Sequence, residues 1–303
     1  MNLNSIKTME TNPAKPACAG AQDRRSYFPS LTVRKWHRAV CALVMLIIAV
    51  SSIGIASAQT SLINGGNQAG TILANTTNFY TLTANVGNNI VLRLGTVGFF
   101  GNLRLYGPDG ALLKTAASGT DAELDLTATN SGTFTALVNS YSPGGTGTYV
   151  LRLAQVPEAF IVPAGEEGGP MTNGGNFAGS NTLGDLQMWT TTANVGDNIV
   201  LRMGTVGFFG NLRLYGPDGA LLKTAASGTD AELSYTATNS GIFTAMVGSY
   251  SSEGTGTYVL HLAQFPEPFI VPTGKEEGGS MTNGGNFAGS NPLGDLQMWS
   301  TAA

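Results

Sequence analysis

Apolar and polar residues alternate over short stretches along most of the chain. Ile90-Val91-Leu92-Arg93-Leu94 alternates around Arg93, which places Ile90, Leu92 and Leu94 on one face of an extended segment. Leu103 and Leu105 share a side in the same way, as do Tyr149, Leu151 and Leu153. Further short strands are predicted over 71–74, 79–83, 122–127 and 133–139. Gly107-Pro108-Asp109-Gly110 between two of them reads as a turn. Pro presets φ, Asp bonds local backbone and Gly takes positive φ. Outside the first 58 residues, nothing sustains an i, i+3, i+4, i+7 pattern over three turns, so almost no helix is expected. This density of strands and turns predicts antiparallel β-sandwiches.

The pattern occurs more than once. The thirty residues from Gly95 to Leu124 return without a change from Gly204 to Leu233. Asn64-Gly65-Gly66 returns at Asn173-Gly174-Gly175 and again at Asn283-Gly284-Gly285, with Lys275 the extra residue before the last copy. A period of about 110 residues is large enough for each copy to bury its own core. The expected organisation is a leader over 1–58, a first sandwich over 59–156 and a linker over 157–170. A second sandwich over 171–265, a linker over 266–280 and an incomplete third copy over 281–303 follow. The third copy holds only a strand or two. It reads as a truncated product of a longer gene or as a strand added to an existing sheet.

Arg34, Lys35 and Arg38 precede the apolar run 39–50, and Ala56-Ser57-Ala58 follows it. That is the order of a secretory signal with cleavage after Ala58; the alternative is an uncleaved signal anchor, which would be the chain's one membrane contact. Cys18 and Cys41 both fall in this leader, so the remainder offers no thiol for catalysis or zinc. From Gln59 onward there are 8 Lys and Arg against 17 Asp and Glu, a net of −9. An acidic surface without a basic cluster argues against nucleic acid as a partner.

The order of several short motifs resembles the bacterial pre-peptidase C-terminal domain. These are a glycine-rich start, Gly184-Asp185-Leu186-Gln187-Met188-Trp189, then Thr192-Ala193-Asn194-Val195-Gly196-Asp197. Leu214-Tyr215-Gly216-Pro217-Asp218-Gly219 and a closing Gly254-Thr255-Gly256-Thr257-Tyr258 complete the set. The resemblance covers nearly all of both full copies. It implies small, jelly-roll-like, non-catalytic sandwiches appended to secreted or surface proteins, often peptidases. The first copy departs from the pattern, with Asn78-Phe79-Tyr80 where an acidic-aromatic strand start is expected.

Candidate chemistry is sparse. His261 is the one histidine after the leader, and its counterpart in the first copy is Arg152, so a solvent-facing position on the last strand accounts for both. Asp109 and Asp218 in the Pro-Asp-Gly turns are the calcium candidates, with Asp121, Glu123, Asp230 and Glu232 on nearby strand edges. The competing reading is that the turn aspartates serve the turn and the others are solvated; no cofactor is expected. Phe99, Phe100, Phe208 and Phe209 are an exposed ligand platform or plugs for the sandwich ends. Trp189 and Trp299 read as core. The expectation is a secreted or cell-surface, non-catalytic binding, adhesion or spacer protein, with an extracellular polysaccharide or protein surface as partner. The alternative is the accessory region of a secreted hydrolase whose catalytic domain lies outside this chain.

Overall fold

The computed structural model describes residues 59–272 and 277–301. The leader and its cleavage position lie outside these residues. The chain is all-β, with no helix among the described residues.

The first unit contains nine strands. They are β1 (Thr60–Ser61), β2 (Asn67–Ile72), β3 (Thr77–Ala84), β4 (Asn89–Val97) and β5 (Gly101–Tyr106), then β6 (Leu112–Ser118), β7 (Asp121–Thr127), β8 (Gly132–Ser140) and β9 (Gly147–Val156). They form a five-stranded sheet, β1-β3-β8-β5-β6, and a four-stranded sheet, β2-β9-β4-β7. The antiparallel pairs β2/β9, β3/β8, β4/β7 and β5/β6 are nested around one another. That is the winding of a jelly roll.

The second unit repeats the arrangement. Its strands are β10 (Gly169–Pro170), β11 (Asn176–Asn181), β12 (Leu186–Ala193), β13 (Asn198–Val206) and β14 (Gly210–Tyr215), then β15 (Leu221–Ser227), β16 (Asp230–Thr236), β17 (Gly241–Ser249) and β18 (Gly256–Phe265). Its sheets are β10-β12-β17-β14-β15 and β11-β18-β13-β16. Gly169–Pro170, within the segment expected as linker, pairs in parallel with Trp189–Thr190 of β12. The third copy contributes β19 (Gly279–Ser280) and β20 (Trp299–Ser300), which pair with each other. Neither adds to a sheet of the second unit.

Alternation places one apolar row of each strand between the two sheets. Ile90, Leu92, Leu94, Leu103, Leu105, Phe134, Leu151 and their neighbours form the first core, and Ile199, Leu201, Met203, Leu212, Leu214, Phe243 and Leu260 the second. Full burial of a side chain of this size contributes about 1.5–3 kcal/mol. The β5–β6 turn is local chemistry: Gly110 adopts φ 77° and the Asp109 Oδ1 accepts from the Ala111 amide at 3.0 Å.

The connection between units is tied down. The Asn64 side-chain amide donates to the carbonyls of Gln155, Glu158 and Ala159, and its Oδ1 accepts from the Gln155 amide at 2.7 Å. Asn173 repeats this at Gln264, Glu267 and Pro268. The recurrent Asn-Gly-Gly therefore anchors each connection to the start of its own sandwich.

A third apolar cluster belongs to neither core. It joins Val91, Ala154 and Val156 on the outer face of β4 and β9 to Leu186, Met188, Tyr215 and Met246 on β12, β14 and β17, with Phe160 packed beside it. The four-stranded sheet of unit 1 thus lies against the five-stranded sheet of unit 2. The residues from Gln59 onward form one compact body.

Candidate functional site

The phenylalanine pairs divide. Phe99 and Phe208 are buried, and the Phe99 ring meets Tyr149 edge-on with centroids 6.3 Å apart, so these two plug the sandwich ends. Phe100 and Phe209 are 46% and 45% exposed. Each leans on a more exposed tyrosine that the sequence reading passed over: Phe100 on Tyr141 and Phe209 on Tyr250, both at 5.5 Å. The hydrogen bonds of Tyr141 and Tyr250 amides to the Phe100 and Phe209 carbonyls, 2.8 Å each, fix the loops that present the rings. The sequence signal was available in Ser-Tyr-Ser after β8 and β17, at the same offset in both copies. The result is one exposed aromatic pair on each unit.

The turn aspartates bind backbone. Asp218 Oδ1 accepts from the Ala220 amide at 3.1 Å, as Asp109 does from Ala111. Among the described residues no three His, Cys, Asp or Glu side chains cluster as a metal would require.

Asp121, expected to be solvated, is instead buried. Arg93 reaches it with Nε at 2.8 Å and Nη2 at 2.7 Å, while its Nη2 also donates across the junction to the Ser249 carbonyl at 2.8 Å. Burial pushes the Asp121 carboxyl up, against the pull of Arg93. Arg213 of unit 2 returns the contact by donating to Glu123 at 2.8 Å. Arg152, expected on a solvent face, is also buried; its Nη1 meets Asp185 Oδ1 at 2.6 Å and Glu166 at 2.9 Å. The outer face carries these charged residues beside Val91, Ala154 and Val156, and it is dry because unit 2 covers it. His261, also expected to be solvated, is buried for a related reason: the 277–301 segment approaches it, with Asp295 among the charges acting on it.

Two glycines let the backbones meet. A Cβ at Gly95 would lie 2.4 Å from the Leu183 carbonyl oxygen, and one at Gly184 would lie 2.4 Å from the Gly95 nitrogen. The Gly184 amide donates to Asp121. The third copy repeats this on unit 2. A Cβ at Gly204 would lie 2.4 Å from the Leu293 carbonyl, and the Gly294 amide donates to Asp230. Trp189 is buried and donates to the Tyr258 hydroxyl at 3.2 Å, whereas Trp299 is half-buried. A groove of about 460 Å³ beside the junction is lined by Gly70, Thr71, Val97, Thr148, Val150 and Leu183 among others. No carboxylate, cation or histidine lines it.

No family model and no curated protein matches the chain. Among solved structures it is similar to the pre-peptidase C-terminal domain of a collagenase from Bacillus anthracis, at 20% identity and a TM-score of 0.29 over 33% of this chain and 98% of that one. It is similar to a periplasmic inhibitor of g-type lysozyme from Aeromonas hydrophila, at 13% identity and a TM-score of 0.26 over 31% and 96%. It is also similar to the M60 catalytic domain with two CBM51 domains of Clostridium perfringens ZmpB, at 8% identity and a TM-score of 0.24 over 65% and 34%.

Proposed function

We propose that this chain is a secreted or surface-exposed, non-catalytic module that presents repeated contact surfaces at fixed spacing to an extracellular polysaccharide or protein surface. The observation that carries the reading is the duplicated exposed pair, Phe100 with Tyr141 and Phe209 with Tyr250, on two units joined by a buried face. Exposed rings offer flat apolar area with little rotamer entropy to lose, which suits the faces of sugar rings or an apolar partner patch. Two weak sites at a fixed distance gain avidity that neither has alone. The acidic remainder of the chain directs the reading to neutral or cationic partners.

Retention of the chain on a panel of polysaccharides and matrix proteins tests this. Retention on at least one is expected, falling by at least about tenfold when one pair is removed by F100A/Y141A or F209A/Y250A. Retention that survives removal of all four rings, or no retention on any member, contradicts the binding role.

A further inference from the structure

The outer face of β13, β16 and β18 repeats the face of β4, β7 and β9 that unit 2 covers. Val200, Arg202 and Gly204 stand where Val91, Arg93 and Gly95 stand; Asp230, Glu232 and Ala263 stand where Asp121, Glu123 and Ala154 stand. The side chains of Arg93 and Asp121 are 3% and 1% exposed, and those of Arg202 and Asp230 are 25% and 21%. Val156 is 1% exposed and Phe265, its counterpart, 44%.

The 277–301 segment covers only part of this second face. It supplies the Leu293-Gly294-Asp295 turn that meets Gly204 and Asp230. At the first junction, β14 and β17 supply the rest: Arg213 to Glu123, the Ser249 carbonyl to Arg93, and Tyr215 and Met246 to Val91 and Val156. Nothing among the described residues takes those places on unit 2.

We propose that this face of unit 2 is a docking surface for a further sandwich of the same build, received through that sandwich's five-stranded sheet. Charge and shape both select it. Glu232 has Arg202 of its own unit at 3.8 Å but no counterpart of the second arginine, Arg213, that reaches Glu123. Arg202 has no counterpart of the Ser249 carbonyl that Arg93 meets, and Gly204 admits a backbone that any side chain would block. The occupant must carry the Gly-Asp turn of unit 2, and unit 1 of a second copy does not. Asn75-Thr76 takes the place of Gly184-Asp185 there; Asn75 keeps the left-handed turn at φ 58° but brings a Cβ into a contact that has no space for one. Thr76 also lacks the carboxylate that Asp185 offers to Arg152 and that Asp295 offers to His261. Docking through this contact therefore runs one way.

The residues 281–303 correspond to 171–193, so a copy of residues 194–265 appended after Ala303 completes a third sandwich in place. With Cys18 and Cys41 replaced by serine, V200C reports the face through its rate of thiol labelling. The extended chain is expected to label at least about tenfold more slowly than the unextended one. G294N/D295T, which installs the pair found in unit 1, is expected to restore fast labelling. An unchanged rate with the appended strands folded overturns the proposal, and so does protection that survives G294N/D295T. Appended residues that stay unfolded by circular dichroism overturn it as well, since their sequence is that of unit 2 and the face is what should receive them.

Discussion

Val91 and Val200 occupy one position in two nearly identical strands, and their surroundings differ. In β4 every residue but the last is buried; in β13 the first six alternate between half-buried and buried. The strand sequences, NIVLRLGTV and NIVLRMGTV, differ by one inward-facing residue. What separates the strands is the neighbour: β12, β14 and β17 lie over β4 and β9, while the 293–295 turn meets β13 and β18 at Gly204 and Val259. The same arginine–aspartate pair is therefore a dry joint between sandwiches in one copy and a partly wet surface pair in the other.

The largest expected effect uses that contrast. R93A strands the Asp121 carboxylate in a dry interface and is expected to cost about 3–5 kcal/mol. R202A removes a pair that water reaches on both sides and is expected to cost about 1 kcal/mol or less. Urea denaturation of the two variants measures both, and equal losses would break the comparison. Next comes G184A, whose methyl group would enter the Gly95 backbone at a residue with φ 77°. A loss of about 1–3 kcal/mol is expected, while G294A, with the same geometry, is expected to free only the 277–301 segment to proteolysis.

A smaller effect comes from the cation position, Arg152 at one face and His261 at the other. Burial holds the His261 imidazole below its ordinary 6.5; Asp295 opposes this, Arg202 adds to it and Asp230 opposes it. The unfolded chain then binds a proton that the folded chain does not. This contribution to stability is present above about pH 6.5 and is lost as the pH falls through that value and below. H261R is expected to be less sensitive to acidification from pH 7.5 to 6 than the parent chain, as followed by melting temperature. Equal sensitivity would show that His261 does not set the difference. The smallest effects belong to the turns. D109A loses one hydrogen bond to an exposed amide and is expected to cost about 0.5–1 kcal/mol, and a chelator is expected to leave the melting temperature within about 1 °C.

Strands, turns and the tandem plan were legible because each rests on local chemistry: period-two alternation, Pro-Asp-Gly turns and a verbatim repeat. The split of Phe99 from Phe100 was half legible, since alternation sends adjacent residues to opposite sides without saying which side is wet. The fate of Arg93, Asp121 and Arg152 was not. A polar row on a strand normally means solvent, and only the apolar company of Val91, Ala154 and Val156 on that row signalled a partner. The partner in turn was legible in one contrast, Gly184-Asp185 against Asn75-Thr76, whose meaning depends on a contact about 90 residues away in sequence.

The two sandwiches are held to one another through the face centred on Val91 and Arg93. Spin labels at N130C and N239C, on exposed turns of the two units, measure this directly by their distance distribution with Cys18 and Cys41 replaced by serine. A single narrow distribution that broadens in R93A is the expected result; a broad distribution in the parent chain would contradict it.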